Sequence, residues 1–284
     1  MAGTGQDSMF EAFHRQIIAR FGSVPTSPPV VIGATGGSGT RALHAAFDAA
    51  GVYMGTHLNH AGDAMHFEQA LDGVINPMLE AERIDVAALS ERSAWVRRLL
   101  GSLRLHAYDK PKTVPHWGWK NPRSMYVLPL IAEIVPAFCF VHLIRDGRDM
   151  ALSGNQNQLD KHYEALFGKP HGEDRRTAAL DLWATANSRA ADWAEAALGE
   201  RYVRIRFEDL CDNPEAEVTR ALALFQDKAL IFDEAIDAAA KLVDKPDSIG
   251  RWQRSEEGSG LNVSSSAKAA LQRFGYADAQ GSAS

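Results

Sequence analysis

Apolar side chains recur along the chain at two spacings, one helical and one strand-like, and the two alternate. Met9, Phe13, Ile17, Ile18 and Phe21 fall on one face of a helix over 8–22 that Gly22 closes. Pro25 to Pro29 interrupt the pattern. Val30-Val31-Ile32 then forms a short β-branched run between Pro and Gly, the pattern of a parallel strand buried on both faces. A glycine-rich turn leads into a helix from Arg41 that Gly51 ends, and Val52-Tyr53-Met54 predicts a second short strand. Residues 63–105 read as largely helical, His116 to Lys120 as a third strand between Pro115 and Pro122, and 123–135 as a helix. The run Ala137 to Ile144 is the clearest buried strand, with a helix following from near Asp149. Helices over 174–198 and 214–226 flank a strand from Tyr202 to Phe207. Strands alternating with helices over the whole length predict an α/β fold: three layers, α/β/α, with a central parallel sheet, in one domain over 1–284. The Gly/Ser/Ala-rich tail, 277–284, is expected to be disordered.

Composition narrows the function classes. The 284 residues are 45% hydrophobic and 23% charged, enough for a sizeable core and incompatible with disorder. A formal net charge of −6 argues against nucleic acid held by counterion release, so any anion must be met by a local site. Cys139 and Cys211 form no C-x-x-C pair and read as reduced, buried thiols. No apolar run approaches the roughly 18 residues of a membrane span, and the first residues lack signal-peptide order. A soluble protein of the cytoplasm is expected. No His/Asp/Glu/Cys cluster stands at metal-ligand spacing, so no metal is expected.

The chemistry concentrates in Val30-Val31-Ile32-Gly33-Ala34-Thr35-Gly36-Gly37-Ser38-Gly39-Thr40-Arg41. A strand-to-helix turn points free backbone N–H groups at whatever sits on the helix N-terminus, and glycine lets phosphate oxygens approach the backbone. Gly33, Gly36 and Gly39 fit the spacing of some nicotinamide-dependent reductases, yet no acidic or Arg residue ends the second strand to meet a ribose. Tyr108 and Lys112 have the reductase spacing, but Pro111 between them would break the required helix. A Walker A loop fails too, because Gly39-Thr40-Arg41 stands where Gly-Lys-Ser/Thr is needed. An NAD(P)-binding reductase and a non-catalytic nucleotide-binding protein remain as alternatives.

Ser38-Gly39-Thr40 after a strand resembles the 5′-phosphosulfate loop of the sulfotransferases that use 3′-phosphoadenosine-5′-phosphosulfate (PAPS). Further matches follow in the family's order. Arg145 at the end of the strongest strand and Ser153 in the next helix stand where the family binds the 3′-phosphate; Lys120 stands where a lysine bridges the leaving phosphate and the sulfuryl group. Lys245-Pro246-Asp247-Ser248-Ile249-Gly250-Arg251-Trp252 resembles the late loop that adds charge at the 3′-phosphate, and Phe207, in a segment ending Glu208-Asp209-Leu210, stands where a ring could flank adenine. The resemblance implies a P-loop-like phosphosulfate turn formed by Gly36, Gly37, Ser38, Gly39, Thr40 and Arg41, with Arg145, Ser153, Phe207, Lys245, Gly250 and Arg251 completing the nucleotide site. PAPS would be the co-substrate and adenosine 3′,5′-bisphosphate (PAP) the product. One departure is Gly37, where many members carry Lys or Arg; Arg41 and Lys120 are the compensating charges. For the base, His57, His60, Asp63, His66 and Glu68 are candidates. Asp63 comes first, four residues before Phe67 as in members with a carboxylate base, and His60 and Glu68 follow. Pro122 excludes the histidine variant two residues after Lys120. The acceptor is expected to offer a hydroxyl or an amine on a small molecule, carbohydrate or lipid, in a pocket shaped by 60–118 and 154–180 with Trp95, Trp117, Trp119 and Tyr163 available as walls. A homodimer is left open.

Overall fold

β1 (Val30–Ala34) is five buried residues at the centre of a parallel four-stranded sheet ordered β2-β1-β3-β4. The computed structural model describes residues 24–84, 88–227, 230, 232–243 and 246–276; the helix expected over 8–22, Lys245 and the tail at 277–284 lie outside them. β2 (Gly118–Lys120) pairs with β1 from Val30 opposite Gly118 to Ile32 opposite Lys120. β3 (Cys139–Ile144) pairs on the other side, Val30 opposite Cys139, and β4 (Tyr202–Arg206) pairs with β3. The helices are α1 (Thr40–Ala49), α2 (Glu68–Ile84), α3 (Ala88–Tyr108), α4 (Leu128–Ile134), α5 (Gly147–Ala151), α6 (Asn157–Phe167), α7 (Arg175–Leu198), α8 (Phe207–Asp212), α9 (Pro214–Leu222), α10 (Phe232–Ala240), α11 (Arg251–Arg254), α12 (Glu256–Ser259) and α13 (Ser265–Arg273). None is long and apolar enough to cross a membrane, among the described residues.

Successive strand residues face opposite layers, which is why the strands read as unbroken apolar runs. Val31, Trp119 and Phe140 join the core beneath α2, α3 and α7, whereas Val30, Ile32 and Val141 join that of α1, α9 and α10. A third cluster packs α7 against α13 around Trp183 and Phe274.

The structure corrects several boundaries. Val52–Met54 is no strand: Tyr53 alone makes a parallel bridge to Trp117, and the chain then turns at Gly55, whose φ of +109° and contact with the His106 ring exclude a side chain. The helix expected over 123–135 is a 3-10 turn, Pro122–Tyr126, followed by α4, because Pro129 fits only in a first helical turn. The helical stretch begins at Met65 with a 3-10 turn, and α6 is a helix the apolar pattern did not announce.

Three buried histidines give a pH-dependent stability. His142 Nε2–H donates to Asn187 Oδ1 at 3.0 Å and the Tyr202 hydroxyl donates to Nδ1 at 3.1 Å, an arrangement only the neutral ring allows. Burial lowers its pKa to about 3, that of His162 to about 3 and that of His106 to about 4. A histidine in the unfolded chain titrates near ~6.5, so below that pH the unfolded state takes up protons that the folded state refuses. Stability is therefore complete above about pH 6.5 and falls as the pH drops, by about 1 kcal/mol per histidine between pH 6.5 and 5.5. Urea unfolding across that interval, where ordinary carboxylates stay ionised, should show the loss; a flat profile would contradict it.

Candidate functional site

The chain leaves β1 towards β2 but leaves β3 towards β4, so the loops after these adjacent strands diverge and open a crevice at the carboxyl ends. The turn after β1 fills it. Gly37 and Gly39 have φ of +81° and +84°, and a Cβ at Gly39 would lie 2.2 Å from the Phe207 ring, so only glycine fits there. Ser38 is buried and turns its hydroxyl inward, donating to Thr35 O at 2.7 Å, and it does not line the crevice in this structure. Gly39 caps α1, whose first amides have no partner within the helix and point, with the helix dipole, at the crevice.

From the end of β3, Arg145 reaches this turn. Its Nη1 donates to Gly37 O at 3.4 Å and its Nη2 to Ser248 Oγ at 2.7 Å, the guanidinium lies 5.0 Å from the Phe207 ring centre, and its buried Nε has no partner among the described residues. Ser153 Oγ lies 3.6 Å from where a Gly37 Cβ would stand. Arg148 is different: it grips Asp146 and Tyr276 O and stacks 3.5 Å from the Trp252 ring centre, a structural role. Asp149 accepts from the Gly250 and Trp252 amides at 2.6 and 3.0 Å, tying the late loop to α5; burial raises its pKa against the pull of those donors. Arg251 Nη1 donates to Leu152 O at 3.1 Å, and its buried Nε is also without a partner among the described residues.

Opposite this cluster, Asn59 shapes a tight loop. Its Oδ1 accepts from the Ala61 and Asp63 amides, and its Nδ2 donates to Asp63 Oδ2, each at 2.9 Å. The other Asp63 oxygen is ion-paired with Lys120, whose Nζ also donates to Ala61 O at 2.6 Å. The Lys120 side chain is 1% exposed, and burial pulls its pKa below the ordinary lysine value while Asp63 holds it up. A cavity of about 550 Å³ brings together Gly36, Gly37, Gly39, Thr40 and Arg41 of the turn, Phe207, Lys120, and the candidate bases His60, Asp63 and Glu68; Arg145, Ser153, Gly250 and Arg251 stand behind the turn and do not line it.

Residues 28–226 match the model of the sulfotransferase family. The chain belongs to that family. Two solved structures share the fold: a sulfotransferase of Mycobacterium tuberculosis H37Rv, 15% identical, covering 93% of this chain and 80% of that one at a TM-score of 0.50, and the sulfotransferase domain of the curacin biosynthetic pathway, 14% identical, covering 88% and 98% at 0.50. No functionally curated protein matches significantly in sequence.

Within this sulfotransferase, the candidate bases separate in space. His60 is exposed at the cavity rim, and Glu68, at the start of α2, is paired with Arg123 at 2.7 Å. His57 and His66 pack ring against ring at 4.9 Å and do not line the cavity. The expected aromatic walls are a correction: Trp95, Trp117, Trp119 and Tyr163 are buried core, and none lines the cavity. Trp119 on β2 and Trp117 just before it are covered by α2 and α3, with Trp119 stacked on Phe67 at 4.7 Å. The lining is instead polar: Asn121, Arg123, Asn155, Asn157, Gln158 and Lys161, the last four within the 154–180 segment expected to shape the pocket, though none of the six side chains was singled out. Four of these six lie on α6 or the turn before it, where no motif marks them.

Proposed function

We propose that this sulfotransferase transfers the sulfuryl group of PAPS to an acceptor hydroxyl, within a single domain of a cytoplasmic protein. The observation that carries the reading is the meeting of Arg145 and Ser153, over 100 residues from the turn in sequence, at Gly37. The unpaired Nε donors of Arg145 and Arg251 support it, since a buried donor without an acceptor costs about 1–3 kcal/mol that a bound dianion would recover.

In this reading the amides of Gly36 to Arg41 cradle the 5′-phosphosulfate, Arg145 and Ser153 hold the 3′-phosphate together with Lys245 and the Gly250-Arg251 loop, and Phe207 flanks the adenine. Arg41 supplies the charge missing at Gly37: it lines the cavity, and its field already lowers the Lys120 pKa. Sulfuryl transfer is an in-line displacement, so positioning and charge stabilisation dominate. Asp63 accepts the acceptor proton, with His60 and Glu68 as the alternative bases, and Lys120 turns from Asp63 to the departing phosphate oxygen.

PAP is expected to raise the melting temperature, by mass action on the folded state, while NADPH leaves it unchanged. Stabilisation by NADPH and none by PAP in a thermal-shift titration would favour the reductase reading of Gly33, Gly36 and Gly39.

A further inference from the structure

The acceptor wall is made of hydrogen-bonding groups whose charges are already balanced. Arg123 pairs with Glu68 and Asp72, and Lys161 pairs with Asp72 at 2.9 Å and lies 3.8 Å from Glu68. Two cations thus face two carboxylates, and an anionic acceptor would have to displace Glu68 from Arg123. Asn121 Nδ2 donates to Glu68 at 3.4 Å and Asn157 also lines the cavity, while the carboxamides of Asn155 and Gln158 continue the polar lining to the turn, within 3.9 Å of where a Gly36 Cβ would stand. Gln158 is fixed by the Tyr126 hydroxyl, which donates to its Oε1 at 3.1 Å, and by its own donation to Ala34 O at 3.3 Å. Among the described residues, the apolar lining amounts to Ala42, Ala61, Met65, Pro122, Phe207 and Leu242, with no Trp or Tyr. A flat apolar acceptor would strip water from these amides and offer nothing back. A chain of vicinal hydroxyls, each both donor and acceptor, matches them.

We infer that the acceptor is an uncharged polyhydroxylated group, a neutral saccharide or the sugar headgroup of a glycolipid, and not a phenol, a sterol or an acidic sugar. This rests on the PAPS reading above. The acceptor oxygen forms the new bond to sulfur as the bond from sulfur to the 5′-phosphate oxygen breaks. Its proton passes to Asp63, and the electron pair leaves on the phosphate of PAP.

The test uses the full chain with labelled PAPS and measures transfer to maltotriose, to a monogalactosyl diacylglycerol in mixed micelles, to 2-naphthol, to cholesterol in the same micelles and to glucuronate, with PAP affinity measured separately by calorimetry. Transfer to maltotriose or to the galactolipid with kcat/KM at least about a hundredfold above the other three is expected, and which of the two reacts separates free saccharide from lipid headgroup. The exposed Asn157→Leu should raise KM for the reacting sugar about tenfold and leave PAP affinity unchanged. Equal or faster transfer to 2-naphthol, cholesterol or glucuronate, or no transfer to either sugar while PAP binds, overturns the inference and leaves the donor assignment intact. Failure to bind PAP sinks the donor assignment instead.

Discussion

Arg145→Ala is expected to weaken PAP binding by about a hundredfold, as read by calorimetry, while the folded protein keeps its melting temperature within a few degrees. Arg145 is the side chain that touches the turn, Ser248 and Phe207 at once. A guanidinium fork against a phosphate dianion makes two charge-assisted bonds, each worth about 1.5–3 kcal/mol, and about 2.7 kcal/mol corresponds to a hundredfold. Its present acceptors are a carbonyl and a hydroxyl beside a cavity, which water can satisfy, so the fold loses little. Arg145→Lys should recover part of the affinity, because a point charge replaces the fork. Unchanged affinity in the alanine variant would remove the 3′-phosphate from this position.

Asp63→Asn is expected to lower kcat by about a hundredfold or more, the usual contribution of a positioned general base, with PAP affinity unchanged within about twofold. Asparagine keeps the shape of the side chain and one acceptor oxygen, so the Asn59 loop survives. A second readout separates catalysis from scaffolding. Asp63 raises the Lys120 pKa against the lowering effect of burial. Removing the carboxylate therefore lowers that pKa further, and the alkaline limb of the pH–rate profile should move to lower pH. Parallel loss of turnover and nucleotide affinity would make Asp63 an anchor of its loop and nothing more.

The α/β class, the parallel strands and the family were legible in the chain because each depends on local information. Val30–Ile32 and Ala137–Ile144 are apolar runs between breakers, and Ser38-Gly39-Thr40 and Arg145 sit at the ends of such runs, where parallel sheets bind ligands. Val52-Tyr53-Met54 misled because a short apolar run suits extended backbone, whereas pairing depends on the neighbour, here ended by Gly55. The tryptophans misled for a related reason. Side-chain type shows that a residue will be covered, but which layer covers it is decided by α2 and α3, packed over β2 from distant parts of the chain.

What the sequence by itself determined is therefore the set of strands, the glycine turn and the chemical types at their carboxyl ends. Only the tertiary structure decided that Lys120 pairs with Asp63, 57 residues away, that Ser248 receives Arg145 across 103 residues, and that α6 supplies a polar wall where aromatic residues were expected. The physical reason is one of range. Strand and turn propensities act between neighbours and leave a periodic trace, whereas a site assembled across layers exists only after the sheet closes under its helices, and no local spacing carries that geometry.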